Sequence, residues 1–363
     1  MRVIRWALVL SVCVNGVRAG AIDPQKGRLD ADGETVWYDG QSLPLEGRAF
    51  TDTESYYDRL PARAKDTVPA HVWGLSHNSA GLALRFVTDA PSLKIRWAVR
   101  GASLGLPHMP ATGVSGVDVY QRLPDGWRFV RNGKPAAVTN EMSLFVTPRA
   151  ECLVYLPLYN GTASLEIGVP KGKTVSEAPA RPSGVVKPVV IYGTSITQGA
   201  CASRPGLAFT AVAGRLADVP VVNLGFSGNG KMELALCDLL AEIDASAYVL
   251  DCLWNMTDDL VIERAEPFIR ALRQKRPDTP ILLAEDCNAF NKAPTAKSRI
   301  LRGIYDKLKG EDAAKWRGLH YLEAKEMLGH DTEGTVDGCH PNDLGMMRQG
   351  EIFGAAIKKL LAR

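Results

Sequence analysis

The sequence predicts a two-part chain: an all-β sandwich, jelly-roll-like in its strand pattern, followed by an α/β domain built on a parallel sheet. Three observations carry this. The chain has 363 residues, beyond the length at which a single hydrophobic core keeps growing. Its first half shows short apolar runs with the two-residue rhythm of strands, whereas its second half alternates short apolar runs with helical patterns. Between them, residues 176–188 collect Pro, Ser, Gly and Ala and read as a linker. Hydrophobic residues make up 46% and charged residues 23%, a balance that excludes intrinsic disorder.

The first nineteen residues read as an export signal. Arg2 and Arg5 supply a positive start, Trp6 to Val14 a short apolar run, and Val17-Arg18-Ala19 the small residues that a signal peptidase reads. The run is too short to span a bilayer, and no later one is long and apolar enough. Cys13 lacks the small residue that a lipoprotein signal prefers before it, which argues for release over a lipid anchor. A secreted or periplasmic protein is expected, without stable membrane insertion. Lys and Arg number 43 against 40 Asp and Glu. Arg2, Arg5 and Arg18 fall in the leader, which has no acid, so the remaining chain is formally neutral. A neutral chain without basic runs is not built for nucleic acid.

Strands are expected over 36–38, 82–87, 93–99, 117–120, 127–130, 152–156 and 163–169, with Asp125-Gly126, Asn132-Gly133 and Asn160-Gly161 as turn signals. Many short strands with such turns indicate a sandwich or jelly roll. Trp37, Trp73, Trp97 and Trp127 could form a sugar-stacking face, but aromatics in a sandwich more commonly fill the core. After the linker, strands are expected at 189–192, 221–224, 248–250, 280–284 and 319–322. Helices are expected at 207–216, 232–243, 260–273, 295–308 and 344–361, with Pro267 a candidate kink.

In a parallel α/β sheet, chemistry collects at the carboxyl ends of the strands. Gly193-Thr194-Ser195 follows the first strand of the second half, Gly225-Phe226-Ser227-Gly228 the second, and Leu253-Trp254-Asn255 the third; Asp337-Gly338-Cys339-His340 precedes the last helix. These types suit acyl transfer. A Ser hydroxyl needs a neighbouring base, His340 can exchange its proton near neutral pH, and Asp337 can fix the imidazole tautomer. The amides of Ser195 and Gly228 and the side chain of Asn255 could face an oxyanion. Thr194, Arg204, Trp254 and Asp118 are further candidates for substrate contact. For Arg204 a salt bridge is the more economical reading, and for Asp118 a turn-fixing role is at least as strong.

Six cysteines remain beyond the leader: Cys152, Cys201, Cys237, Cys252, Cys287 and Cys339. Export would permit disulfides, and Cys201, Cys252 and Cys339 lie near the candidate blocks, but the pairing stays open. Cys237, in a helical apolar pattern, reads as a small buried residue. No CxxC pair occurs, and His71, His77 and His108 show no ligand spacing, so no metal and no cofactor is expected.

The blocks around Ser195, Gly228, Asn255 and His340 resemble the four name-giving blocks of the SGNH (GDSL-like) hydrolases, with Asp337 at the family's triad acid. Two departures stand out: Thr194 replaces the GDSL aspartate, and Leu-Trp-Asn-Met replaces the usual Gly-x-Asn-Asp. Residues 108–120, with Gly116-Val117-Asp118-Val119-Tyr120, resemble the GxDLY module that precedes such domains. With the readings above, the expected organisation is a leader over 1–19, a sandwich over 21–175 and a linker over 176–188, and the resemblance implies a flavodoxin-like three-layer hydrolase domain over 189–363. It also implies a serine esterase with an acyl-enzyme intermediate, acting on small O-acyl esters, acetyl above all, of carbohydrates. A lipase or lysophospholipase, a thioesterase and an inactive glycan-binding protein are the alternatives.

Overall fold

The computed structural model describes residues 20–287 and 294–362. The export signal read over residues 1–19 lies outside the described residues.

The first half forms strands β1 (Gly27–Leu29), β2 (Thr35–Asp39), β3 (Leu45–Glu46), β4 (Ala83–Thr88), β5 (Ser92–Val99), β6 (Asp118–Leu123), β7 (Gly126–Asn132), β8 (Thr139–Phe145), β9 (Glu151–Tyr155), β10 (Thr162–Pro170) and β11 (Val175–Glu177). They make two antiparallel sheets, ordered β1-β2-β10-β5-β8 and β11-β4-β9-β6-β7, with β3 also on β4. Burial alternates residue by residue along β5, because successive side chains of a strand face opposite sides. Leu93, Ile95, Trp97 and Val99 therefore point inward, where they share a core with Leu84, Phe86, Val119 and Val154 of the other sheet. Trp37 and Trp97 are buried in this half, while Trp73 and Trp127 pack at its junctions with the α/β half. The four tryptophans thus form no common sugar-stacking face.

All seven runs read as strands are strands. Of the turn signals, only Asp125-Gly126 closes a hairpin, between β6 and β7. Asn132-Gly133 and Asn160-Gly161 instead mark places where the chain passes from one sheet to the other. Val175–Glu177 pairs with β4, so the sandwich extends two residues into the stretch read as linker.

The second half alternates β12 (Val189–Gly193), β13 (Val221–Gly225), β14 (Ala247–Asp251), β15 (Ile281–Ala284) and β16 (Leu319–Leu322) with helices. Among the described residues the α-helices are α1 (Ala70–Ser76) and α2 (Ala111–Val114) in the first half, then α3 (Ser195–Gln198), α4 (Phe209–Ala217), α5 (Leu234–Glu242), α6 (Asp258–Lys275), α7 (Ala296–Glu311) and α8 (Asp343–Leu361). The five strands are parallel in the order β13-β12-β14-β15-β16. Numbered from β12, this is the 2-1-3-4-5 order of flavodoxin-like sheets, whose crevice opens where the winding reverses beside the first strand. Val190, Tyr192, Tyr248, Leu250 and Leu283 pack against α5, α6 and α7. Their neighbours Val189, Ile191, Val249 and Leu282 face α4 and α8. Three layers result.

The two halves are not beads on a string. Between β3 and β4 the chain leaves the sandwich, and Phe50, Leu60, Ala64, Val68 and Val72 join the core beneath α5 and α6. From this excursion the Arg59 guanidinium, fully buried, donates to the carbonyls of Asn223 (3.2 Å) and Gly225 (2.7 Å) at the end of β13. A second bolt joins β6 to the segment after α3. The Oδ2 of Asp118 accepts from Arg204 Nη1 (2.7 Å) and from the amide of Gly206 (2.9 Å). Arg204 Nη1 also reaches the Tyr120 hydroxyl at 2.6 Å. Removing one partner of a buried ion pair leaves the other charge uncompensated and costs about 3 kcal/mol. Asp118→Ala is therefore expected to lose about 3 kcal/mol of unfolding free energy, read from denaturant titration, while leaving the sandwich core unaltered.

Candidate active site

The end of β12 is built for close approach. A Cβ on Gly193 would stand 2.1 Å from Thr197 Oγ1 and 2.3 Å from the Asp251 carbonyl, and one on Gly225 would stand 2.1 Å from the Gln198 amide. Only glycine lets α3 sit this tightly across the strand ends. Thr194 Oγ1 accepts from the Ile196 amide at 3.3 Å, capping α3 and placing Ser195 at its first position. Two buried side chains hold the helix down. Thr197 Oγ1 donates to Asp251 Oδ2 (2.8 Å). Gln198 Nε2 donates to Asn78 Oδ1 and to the Leu158 carbonyl, while its Oε1 accepts from the Ser227 amide at 3.0 Å. Burial pushes the Asp251 carboxyl up to about 6, against the hydrogen bond from Thr197.

The opposite wall comes from the loop before α8. A bridge between Thr335 and Pro341 narrows this loop, and Gly338 takes the left-handed φ of 83° at its tip. Asn342 caps α8, its Oδ1 accepting from Gly345 at 3.1 Å. The loop is fastened to the nucleophile's own segment: Cys201 donates to the Pro341 carbonyl (3.0 Å), and the Ser203 amide to Asp343 Oδ1 (2.7 Å).

These constraints bring Ser195 Oγ within 3.0 Å of His340 Nε2, and His340 Nδ1 within 2.7 Å of Asp337 Oδ2. The other Asp337 oxygen accepts the amides of Cys339 (3.0 Å) and His340 (2.7 Å). Partial burial disfavours the Asp337 carboxylate, but the bonds from the His340 ring, His340 amide and Cys339 amide prevail and hold it down to about 2. A carboxylate on Nδ1 leaves Nε2 as the acceptor facing the hydroxyl. The arrangement can move a proton from Ser195 to His340.

Gly228 and Asn255 lie on the two neighbouring strand-end loops. Gly228 is exposed with a φ of 68°, so its glycine is needed for backbone conformation rather than for space. It also stands well ahead of α5, not at a helix entry. Asn255, at the end of a short 3-10 turn after β14, donates Nδ2 to the Asn229 carbonyl at 2.7 Å. That bond joins the second and third loops and takes one of the two amide hydrogens.

Of the four substrate-contact candidates, three are otherwise engaged. Thr194 is buried as the helix cap, Asp118 is buried in the joint between the halves, and Arg204 is paired with Asp118 and lies 3.9 Å over the Phe129 ring. Trp254 is half-buried, its Nε1 donating to Cys287 Sγ at 3.1 Å. The six cysteines described are free thiols, Cys237 among the buried ones.

Spacing gave no signal for three residues now found at the site. Tyr159 donates its hydroxyl to the Ser195 carbonyl at 3.2 Å. Gln198 ties α3 to the Gly228 loop. His108, set aside for lack of ligand spacing, stands edge-on to His340 with ring centroids 5.7 Å apart. The first half thus reaches the site. Donor atoms of His108, Cys201 and His340 lie within 4.8 Å of one another, as do those of Asp337, Cys339 and His340.

Both halves of the chain match known families. Residues 186–358 match the model of the GDSL-like lipase/acylhydrolase family, and residues 35–175 match GxDLY, the N-terminus of SGNH-hydrolase-type esterases. A crystal structure of an assigned GDSL-like lipase from Bacteroides ovatus is 36% identical over 90% of this chain and 98% of that one, with a TM-score of 0.79. The chain is a member of the GDSL-like lipase/acylhydrolase family. The fold is shared with a salicylyl-acyltransferase from a tetracycline biosynthetic pathway, 19% identical over 88% of this chain and 94% of that one, with a TM-score of 0.68. It is shared too with a family two carbohydrate esterase from Cellvibrio japonicus, 10% identical over 95% and 94% of the two chains, with a TM-score of 0.54. No curated protein matches the chain.

Two outcomes are expected. Gln198→Ala removes three hydrogen bonds and unties the Gly228 loop from α3. Ester hydrolysis by this variant should fall about tenfold or more in kcat, with KM changed less, since positioning errors near the reacting atoms weigh on turnover. The second concerns pH. The folded Asp337 carboxyl is held below its ordinary 3.8, so its contribution to stability is complete above about pH 5 and vanishes as pH falls from about 4 through 2. The Tm difference between wild type and Asp337→Asn should follow that course in thermal scans from pH 2.5 to 7.

Proposed function

We infer that this family member is an exported serine esterase that removes small O-acyl groups, acetyl first, from carbohydrates. One observation carries the reaction: the unbroken chain of hydrogen bonds from Ser195 through His340 to Asp337 at the carboxyl end of β12. Ser195 attacks the ester carbonyl while His340 takes its proton. The alkoxide of the tetrahedral intermediate collapses, and His340 returns the proton to the departing sugar hydroxyl. Water, deprotonated by the same imidazole, then releases the acid from the acyl-enzyme. Asp337 keeps the imidazole in the useful tautomer and steadies the imidazolium. The amides of Ser195 and Gly228 and the Asn255 side chain serve the oxyanion. No cofactor enters this scheme.

The carbohydrate assignment draws support from architecture. A β-sandwich joined to a flavodoxin-like hydrolase is the organisation this chain shares over nearly its whole length with the Cellvibrio carbohydrate esterase. Export, read from residues 1–19, would bring the protein to extracellular glycans. The name of the Bacteroides ovatus relative favours a second reading, lipid esters; the sequence offers no evident apolar lid for it.

Hydrolysis of p-nitrophenyl esters and acetate release from acetylated xylan, pectin and mannan check these assignments. Ser195→Ala should lower p-nitrophenyl acetate turnover by about 10⁴-fold or more, and Asn255→Ala by about 10²–10³-fold. The acetyl ester should be preferred to the palmitoyl ester. Wild-type rates in Ser195→Ala would remove the nucleophile from the account, and a palmitoyl preference would favour the lipase.

A further inference from the structure

We propose that the mouth of the site is also a binding site for a borderline-soft divalent cation of the Zn²⁺ type, held by His108, Cys201 and His340, and that its occupancy reversibly stops the esterase. The three residues come from three segments: the loop before α2, the segment after α3, and the loop before α8. Each offers one donor atom, and all three atoms lie within 4.8 Å of one another. A tetrahedral zinc with Zn–N near 2.0–2.1 Å and Zn–S near 2.3 Å needs donors roughly 3.3–3.7 Å apart. The gap is a side-chain adjustment of about an ångström.

The structure shows where that adjustment comes from and what resists it. His108 is exposed at the tip of a tight turn clamped by reciprocal bonds between Leu106 and Met109 (2.9 and 3.1 Å). The backbone is therefore fixed while the imidazole can swing. Cys201 is anchored through its amide to the Pro341 carbonyl, one residue from His340. His340 presents the form a metal ligand takes. Its Nδ1 is bonded to the Asp337 carboxylate, the outer partner that typically orients metal-bound imidazoles, so Nε2 is the nitrogen open to a cation, which would displace the Ser195 hydroxyl now 3.0 Å from it. Two imidazoles and a thiolate are donors of the kind zinc selects over magnesium or calcium.

Binding exchanges hydrated Zn²⁺ for two Zn–N bonds and one Zn–S bond, and the Cys201 thiol proton goes to solvent. No electron moves. Water or Ser195 Oγ can complete the tetrahedron. With its Nε2 lone pair on the metal, His340 cannot accept the Ser195 proton, so turnover stops until a chelator removes the ion. The binding claim stands on geometry alone; only the effect on turnover rests on the esterase reading above.

The test uses the full chain, stripped with chelator and titrated with Co²⁺ as the optical probe and then with Zn²⁺. One tight equivalent of Co²⁺ with a thiolate charge-transfer band, displaced by Zn²⁺, is the expected result. His108→Ala and Cys201→Ala should each weaken binding at least tenfold and Cys201→Ala should remove the band, whereas Cys339→Ala should keep both. Zn²⁺ should inhibit p-nitrophenyl acetate hydrolysis, with chelator restoring it, and His108→Ala should be at least tenfold less sensitive. His108 is exposed, so its variant is not expected to disturb folding, and circular dichroism checks the cysteine variants. Absence of the band, its persistence in Cys201→Ala, or undiminished affinity in His108→Ala would overturn the site. A Co²⁺ signal with the expected variant pattern in a protein that hydrolyses no ester would leave the cation site standing and remove the function.

Discussion

Ser195 and His340 are 145 residues apart, and the 3.0 Å between their side chains depends on both segments being fastened to one end of β12. The constraint is steric before it is chemical. Gly193 and Gly225 let α3 lie against the strand ends where any Cβ would collide. The loop before α8 is then tied to the segment following α3 by Cys201 to Pro341 and Ser203 to Asp343. Hydroxyl and imidazole are held by backbone and buried polar groups rather than by their own mutual bond. Such preorganisation is what catalysis by positioned groups requires.

The first half of the chain takes part in this fastening. Arg59 reaches the carbonyls at the end of β13, and Asp118 holds Arg204 and the Gly206 amide. Gln198 reaches back to Asn78 and Leu158 of the first half. A buried guanidinium without a carboxylate partner is costly unless its donors are used. Here burial lowers the Arg59 pKa to about 9, and four carbonyls receive its hydrogens. The first half therefore acts as a clamp on the strand-end loops, and through His108 as part of the rim.

Much of this was legible in the sequence, for identifiable reasons. The second half follows its periodicity closely, since each buried strand and amphipathic helix carries its own pattern. The strands missed in the first half are those with little pattern to read. β1, β3 and β11 have two or three residues, and β8 has a mostly exposed, polar outer face. The excursion through 47–79 was hidden because most of its apolar residues serve the other half's core, so local rhythm says nothing about their destination. At the site, Ser195, Asp337 and His340 were readable because each ends a strand or precedes a helix in a motif. Gln198, Tyr159 and His108 were not, since their partners are fixed by tertiary folding. Asp118 and Arg204 were visible as candidates, and folding turned them inward to each other.

The proposed chemistry requires that one serine, activated by one imidazole, be the reacting group. A fluorophosphonate probe, followed by intact mass and peptide mapping, tests it most directly. A single adduct is expected on the peptide that carries Ser195, formed about 10³-fold or more slowly when His340 is replaced by Ala. Labelling of Ser195→Ala at the wild-type rate, or an adduct on another serine that accompanies loss of activity, would contradict it.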